Sequence, residues 1–266
     1  MGSAGSRPVV SRRLTLPEQL LQDFGIERPE EIDLHAIAWE LGARIKYREL
    51  HSCEARIVGQ GGRAIITVDS KATPRRKRFS IAHELGHWHH HRGRCLICRT
   101  DEIGNRRRSV TDPERVADDY ASDLLLPRYL LEPMLKACPR PTLKFVRETA
   151  EAFDASATAT ALKIVETDRF PIMLVSHSQH GRAWFRRAPS VPEHWFPKQE
   201  LDHESFAFAA LFGKNEDKGG PRRIGADAWF DRRGADDFEI YEETFRVAAD
   251  QICTILFFND SKMLRE

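Results

Sequence analysis

The chain has 266 residues, of which 41% are hydrophobic and 30% are charged, and its formal net charge is +1. This length and balance are typical of a globular protein, and the near-neutral charge gives no indication of a nucleic-acid-binding surface. No apolar run approaches the ~20 residues that cross a bilayer, and we expect neither a signal segment nor a membrane span. Five cysteines, an odd number without the density of a disulfide scaffold, favour a reducing cytoplasm.

The first part of the chain predicts two short helices followed by a small sheet. The predicted helices and strands cover 16–24 and 32–41, then 44–50, 55–59 and 63–69. Gly61 and Gly62 predict the hairpin turn between the last two strands. Residues 64–68 form the candidate edge strand, on which an extended peptide could pair by backbone hydrogen bonds, although core packing explains the run equally well.

The next segment contains His83-Glu84-Leu85-Gly86-His87, an H-E-x-x-H motif inside a run with helical apolar spacing over 76–92. Residues i and i+4 share one face of a helix, so His83 and His87 are candidate ligands of one metal ion. Glu84 is the candidate general base. A pair of structural histidines is the alternative, and it weakens if a third ligand exists.

Four cations stand at the start of this predicted helix, where the helix dipole disfavours positive charge. They are Arg75, Arg76, Lys77 and Arg78. A solvated charge run is the favoured interpretation, and pairing with acidic groups or with a substrate is the alternative.

The residues after the motif decide which kind of third ligand to expect. A third histidine would follow the pattern H-E-x-x-H-x-x-G-x-x-H, but the chain has His90 at the glycine position and Gly93 at the last position. The inverted order H-x-x-E-H is also absent from the sequence. A carboxylate from a later helix is the remaining type.

A suitable helix begins near Pro113, which fits the first turn, after a cap by Thr111 or Asp112. Its candidate metal-facing side carries Glu114, Ala117, Asp118 and Ala121. The small alanines would let two helices approach closely. Glu114 is the candidate third ligand, and Asp118 is the candidate acceptor for the N–H of a metal-bound histidine. Asp118 as the ligand, with Glu114 outside, is the alternative.

The two segments together resemble the ImmA/IrrE family of metallopeptidases. The resemblance is carried by residues 78–87 and by Glu114-x-x-Ala117-Asp118-x-x-Ala121-x-x-Leu124-Leu125-Leu126-Pro127, in which Leu126 stands where the family usually has methionine. It implies a zincin-like, gluzincin-type peptidase domain. It also implies that His83, His87 and Glu114 bind Zn²⁺, with Mn²⁺ or Fe²⁺ as other ions such a site accepts, and that Glu84 is the catalytic base.

The same resemblance implies a substrate class. Peptidases of this family cleave helix-turn-helix transcriptional repressors and so derepress stress-response or mobile-element genes. A repressor protein is therefore the expected partner. A toxin-like peptidase controlled by a partner is a further interpretation, and no membrane partner is expected.

Several residues near the motif have less certain roles. Tyr120 or a downstream histidine is the candidate oxyanion helper. Cys95 and Cys98 could hold half of a structural zinc site, but no second C-x-x-C exists in the sequence. The histidines at 89–91 are interpreted as surface or pocket-rim residues, because His87 already has the metal-facing position.

Residues 141–166 predict a helix, a turn and a second helix that begins after Ser156. The segment is helix-turn-helix-like, as the family resemblance also implies. Thr158, Thr160 and Lys163 are a thin set for reading a major groove, so a packing role is favoured. A DNA-binding regulator with a structural or sensory metal site is the alternative function, and direct DNA binding is the less favoured partner prediction.

The last part of the chain predicts a separate, strand-rich unit with a dense aromatic core. Its expected elements are a hairpin over 172–177 and 182–187, a helix over 203–212, a segment over 222–230 and a helix within 247–255. The overall prediction is an α+β protein with three parts: a peptidase domain over 1–140, a helical segment over 141–168 and a C-terminal α/β domain over 169–266. A sensor or substrate-docking role for the last part is as well supported as a purely stabilising one.

Overall fold

The computed structural model describes residues 13–51, 53–90, 112–213 and 219–265. Within these ranges the chain forms eight α-helices and two β-sheets, which confirms the mixed α+β class. The helices are α1 (Leu16–Asp23), α2 (Leu34–Glu40), α3 (Pro74–His90), α4 (Pro113–Leu125), α5 (Arg128–Ala137), α6 (Leu143–Ala152), α7 (Ala157–Glu166) and α8 (Phe206–Phe212). The strands are β1 (Ala43–Arg48), β2 (Ala55–Gln60), β3 (Arg63–Asp69), β4 (Ile172–Ser178), β5 (Gly181–Arg187), β6 (Arg222–Gly225), β7 (Glu239–Ala248) and β8 (Gln251–Phe257).

The first sheet has the strand order β1-β3-β2. β3 pairs parallel with β1 and antiparallel with β2, and the β2–β3 hairpin turns through Gly61 and Gly62, whose φ angles of +56° and +79° suit glycine. The prediction that 64–68 is an edge strand is therefore wrong. Both sides of β3 are used by neighbouring strands, so its backbone has no free edge for an extended substrate.

Helix α3 lies between this sheet and α4, which explains why nine consecutive residues, Ser80 to Trp88, are buried. Trp88 anchors the helix to the sheet side. Its indole N–H donates to the carbonyl oxygen of Leu41 at 2.8 Å. Its ring covers Gly59, where a Cβ atom would lie only 2.3 Å from the indole. The H-E-x-x-H motif is consequently held inside the protein on a helix fixed from two sides.

Helices α6 and α7 form the expected pair, and Ser156 caps α7 by accepting a hydrogen bond from the N–H of Ala159 at 3.1 Å. Two of the three polar residues considered for DNA reading are buried in α7. Thr160 has no exposed surface, and Lys163 forms an ion pair with Asp123 of α4. These contacts favour the packing interpretation of this segment.

The second sheet is antiparallel throughout and has the strand order β5-β4-β8-β7-β6. The predicted hairpin β4–β5 is present. The predicted helix within 247–255 is wrong, because β7 continues to Ala248 and β8 begins at Gln251 after a tight turn. β8 is a central strand buried on both faces, and its continuous apolar run cannot be told from a buried helix by periodicity.

One face of this sheet packs against α7 and α6, and the other face is covered by α8 and by aromatic side chains. Trp195, Trp229 and Phe230 are each 1% exposed, which agrees with the predicted aromatic core. The buried apolar residues of the two sheets belong to one cluster, and the domain boundaries at 140 and 168 stay predictions. Within the described ranges, no helix has the length and apolarity to cross a membrane.

Candidate metal centre

The two histidines of the motif lie one turn apart on the buried side of α3. His83 is 0% exposed and His87 is 1% exposed, and their Nε2 atoms are 3.0 Å apart. The rings meet edge to face, with centroids 4.7 Å apart. Two imidazole nitrogens aimed at one another at this distance need a shared cation or proton, because two lone pairs repel.

Glu114 completes the group from the first turn of α4. Asp112 is the N-cap and accepts a hydrogen bond from the N–H of Glu114 at 3.0 Å, which sets where the helix begins. The Glu114 carboxylate then reaches both histidines, with Oε2 3.2 Å from Nε2 of His83 and Oε1 3.3 Å from Nε2 of His87. Among the described residues, His83, His87 and Glu114 form a candidate metal site, with one ligand atom from each within 4.8 Å of the others.

The spacing of these atoms fits a small divalent ion. Tetrahedral zinc with bonds of about 2.0–2.1 Å has ligand atoms about 3.3 Å apart. The three observed separations of 3.0, 3.2 and 3.3 Å are close to that value. The donor set of two imidazoles and one carboxylate suits zinc, manganese or iron, so the geometry supports a metal site without selecting the metal.

Asp118 lies one turn after Glu114 and contacts the Nδ1 side of the His83 ring. Its Oδ1 atom is 3.0 Å from Nδ1 of His83, and the carboxylate is 3% exposed. If Nδ1–H donates to Asp118, the lone pair of Nε2 points at Glu114 and His87. The structure therefore places Glu114, and not Asp118, together with the two histidines in the candidate metal site.

The charges at the centre favour a cation between these side chains. Burial by itself lowers the pKa of His83, but its hydrogen bonds to Asp118 and Glu114 outweigh burial and raise that pKa to about 9. Burial raises the pKa of Glu114, and its bonds to His83 and His87 outweigh this and lower that pKa strongly. Both effects show that the carboxylates stabilise positive charge at the point where the three ligand atoms meet.

Glu84 is fully buried next to His83 on α3. Its carboxylate is close enough for its charge to raise the pKa of His83. This is the position that the motif predicts for a general base beside the metal ligands.

The close contact of α3 and α4 depends on small residues. A Cβ atom added to Gly86 would lie 2.9 Å from Cα of Ala117 and 3.1 Å from Cβ of Tyr120. Glycine at 86 and alanine at 117 therefore let the two helices approach until Glu114 reaches the histidines. The sequence predicted the role of the alanine face, and only the structure identified Gly86 as its counterpart.

The basic run at the start of α3 is paired and not simply solvated, contrary to the favoured prediction. Arg75 and Arg78 pair with Asp154, at 3.5 and 3.3 Å, and Arg76 pairs with Glu54. These acidic partners come from the α6–α7 connection and from the segment before β2. They offset the unfavourable helix dipole and tie the start of α3 to its neighbours.

Three further residues were predicted near the site: Tyr120, Cys95 and Cys98. The ring of Tyr120 contacts His89 and His90, with centroid distances of 5.5 and 5.8 Å, and burial raises the pKa of Tyr120 to about 12. Its role as an oxyanion helper stays a prediction. Cys95 and Cys98 lie outside the described residues.

Comparison with known proteins shows a family match and a similar solved structure. Residues 38–164 match the family model Peptidase_M78, described as an IrrE N-terminal-like domain. This range contains both helices that form the metal centre. The solved structure of a Mycobacterium tuberculosis transcriptional regulator is similar over 90% of this chain and 85% of that chain, with a TM-score of 0.55 and 14% sequence identity, which shows a shared fold. No curated protein matches the chain.

Proposed function

We propose that this chain, whose residues 38–164 match the Peptidase_M78 family model, is a metal-dependent endopeptidase. The observation that carries the proposal is the convergence of His83, His87 and Glu114 on one point, beside the buried carboxylate of Glu84. A structural metal site needs four protein ligands, whereas a catalytic site keeps a position for water or substrate. The three ligands found among the described residues, with a carboxylate beside them, match the catalytic type.

Each residue has a defined task in peptide hydrolysis. A divalent metal held by the three ligands would supply Lewis-acid polarisation of the scissile carbonyl and lower the pKa of a water molecule. Glu84 takes the proton of the attacking water and then passes it to the leaving amine. Asp118 keeps the ring of His83 in the tautomer and orientation that ligation requires.

We further propose that the substrate is a helix-turn-helix transcriptional repressor, whose cleavage derepresses stress-response or mobile-element genes. The resemblance of both motifs to the ImmA/IrrE family supports this substrate class. The similar mycobacterial structure is that of a transcriptional regulator, which is compatible with a role in gene regulation here.

The test is cleavage of a candidate repressor by the purified full chain, followed on a gel. The Glu84→Gln variant should lose at least about 100-fold in rate, since general-base catalysis contributes about 100- to 10,000-fold, while still binding zinc. Glu148→Gln is the matched control, because Glu148 is exposed and pairs with Lys144 at the surface of α6. Normal cleavage by Glu84→Gln would contradict the mechanism, and chelator-resistant cleavage would contradict the metal.

A DNA-binding regulator is the second candidate function, and the shared fold with the mycobacterial transcriptional regulator favours it. The burial of Thr160 and Lys163 argues against base reading by α7. This candidate predicts salt-dependent DNA binding by the full chain and a repressor that stays intact after incubation. Binding to duplex DNA at several salt concentrations, measured beside the cleavage gel, separates the two functions.

A further inference from the structure

The two faces of the first sheet have different surroundings. The inner face packs against α3 through Ala64, Ile66 and Val68, which are at most 5% exposed. Successive side chains of a strand lie on opposite sides of a sheet, so the residues between these three belong to the outer face. There Val58 and Ile65, which are paired across β2 and β3, are 56% and 41% exposed. The outer face is therefore open at its centre.

The outer face is rich in positive charge. The three strands contribute five exposed cations to it: Arg44, Lys46, Arg48, Arg56 and Arg63. Within the described ranges, none of the five forms an ion pair with an acidic side chain. Among the described residues of the three strands, Asp69 is the one carboxylate, and its Oδ1 atom accepts hydrogen bonds from the backbone N–H groups of Leu50 and Lys71 at 3.3 and 3.2 Å. This local excess is not apparent from the net charge of the whole chain, which is +1.

The cations are regularly spaced. Arg44, Lys46 and Arg48 occupy alternate positions along β1, and alternate positions of a strand are about 6.6–6.8 Å apart. Across the sheet, Lys46 and Arg56 stand on either side of Thr67, to which both are paired in register. A linear polyanion that repeats its charge at a regular interval can therefore contact several of these side chains at once.

An exposed aromatic ring lies next to this row of cations. Trp39, in the last turn of α2, is 60% exposed. The guanidinium of Arg44 lies over the indole, 5.0 Å from the ring centre. Because tryptophan is on average highly buried, this exposure makes Trp39 a candidate contact residue. An exposed ring beside arginines can stack on a flat, unpaired base.

We propose that the outer face of the first sheet binds single-stranded nucleic acid. Arginine and lysine bind phosphate oxygens, arginine through paired N–H donors, and the repeated cations suit the repeated charge of a sugar–phosphate backbone. Trp39 stacks on a base, which an unpaired strand exposes and a duplex does not. The face is two strand spacings, about 10 Å, across, which accommodates one strand of a few nucleotides.

The charge alone would also suit an acidic peptide or an anionic membrane. A nucleic-acid strand differs from both because it carries one flat base with every charge, and this matches an exposed ring next to evenly spaced cations. The proposal does not rest on the peptidase function. The metal ligands His83 and His87 face Glu114 of α4, whereas the sheet contacts α3 from its other side.

Binding is tested with the full chain, in the presence of a chelator, by fluorescence anisotropy of a labelled oligothymidylate of about 20 nucleotides. The logarithm of the binding constant should fall with the logarithm of the salt concentration with a slope of about −2 to −3.5, as for three to five phosphate contacts. A slope near zero, or no binding at low salt, would overturn the proposal. An oligouridylate of the same length should bind similarly, because no contact to the sugar is invoked, and binding of one strand alone would contradict recognition through phosphates.

A duplex of the same length should bind at least about fivefold more weakly, because its bases cannot stack on Trp39. Equal or tighter binding of the duplex would refute the single-strand assignment. Poly-L-glutamate and vesicles of phosphatidylserine and phosphatidylcholine are the competitor probes, and neither should displace the oligothymidylate at equal charge concentration. Displacement by the peptide or by the vesicles would overturn the proposal in favour of that partner.

Variants locate the site. The double variant Lys46→Gln, Arg56→Gln should make the salt slope about 1.4 less negative, since two phosphate contacts are lost. Trp39→Leu should weaken binding by about fivefold or more and leave the slope unchanged, and Trp39→Phe should retain part of the affinity. Arg223→Gln is the control, because it removes the same charge at an exposed position of β6 in the second sheet.

Thermal unfolding identifies any variant that fails to fold, and the conservative Trp39→Phe variant then decides. Unchanged binding in the folded double variant and in Trp39→Leu would contradict the location. These measurements need neither metal nor a peptidase substrate. A chain that binds the oligothymidylate but cleaves no repressor would refute the proposed function and leave this proposal in place, and the opposite result would do the reverse.

Discussion

Two buried carboxylates, Glu114 at the metal centre and Glu242 in the second sheet, illustrate different uses of the same group. Glu114 faces His83 and His87, and its pKa is lowered by them. Glu242 is 1% exposed and accepts hydrogen bonds from the backbone N–H of Phe206 and the indole N–H of Trp229. Burial raises the pKa of Glu242 to about 7, more than these bonds lower it.

The difference lies in where the neighbouring groups point. Around Glu114, titratable side chains from two helices are aimed at a common point, and their charges favour a cation there. Around Glu242, backbone and indole N–H groups donate to one carboxylate and fasten the start of α8 to β7. Burial of a charged group does not by itself indicate function. Convergence of several ligand atoms on one point does.

The largest effect is expected for the loss of the third ligand. Glu114→Ala leaves two imidazoles without a carboxylate and should lower zinc affinity by more than about 100-fold, since loss of an outer partner alone costs about 10- to 100-fold. Chelator competition measures this. Glu132→Ala, at a half-exposed position on α5, is the control and should bind zinc normally. Unchanged zinc affinity in Glu114→Ala would indicate that Asp118, and not Glu114, is the third ligand.

A smaller effect is expected for Asp118→Asn, which keeps the size of the side chain but removes the negative charge next to Nδ1 of His83. Zinc affinity or cleavage rate should fall by about 10- to 100-fold. Asp119→Asn is a matched control at the next position, where the carboxylate is exposed and pairs with Arg115. Equal behaviour of the two variants would show that Asp118 does not orient His83.

Gly86→Ala tests the close approach of α3 and α4. Alanine favours helix by about 1 kcal/mol over glycine, but the added Cβ would lie 2.9 Å from Cα of Ala117. Crowding of this kind costs about 1–3 kcal/mol, so we expect a net loss of unfolding free energy together with weaker zinc binding. Denaturant unfolding measures the first effect. Gly219→Ala, where no described residue has an atom within 4 Å of the added Cβ, should change neither.

The smallest effect concerns pH and Glu242. Its pKa rises from 4.5 to about 7 in the folded chain, so folding favours its protonated form. This stabilising contribution is complete below about pH 4.5 and is lost as the pH rises through about 7. Glu242→Gln should reduce the fall in unfolding free energy between pH 5 and pH 8 by about 1–2 kcal/mol. Glu239→Gln, at an exposed position of the same strand, should show the same fall in unfolding free energy as the wild-type chain. If Glu242→Gln also showed the wild-type fall, the raised pKa of Glu242 would not be its cause.

The sequence by itself determined the two helices of the metal centre and the residues they carry. Positions i and i+4 share a helix face whatever the rest of the chain does. His83 with His87 and Glu114 with Asp118 were therefore placed on common faces by spacing alone. The choice between Glu114 and Asp118 as the residue opposite both histidines needed the crossing of α3 and α4, which depends on Gly86.

Only the tertiary structure decided the features that join distant parts of the chain. Strand patterns do not reveal strand order, so the prediction of β3 as an edge strand is wrong. β8 is buried on both faces, and its continuous apolar run cannot be told from a buried helix by periodicity. One cavity is lined by both Asp118 and Arg182, although 64 positions separate them in the sequence. Local spacing fixes which residues share a face of one element, whereas long-range packing decides which faces meet.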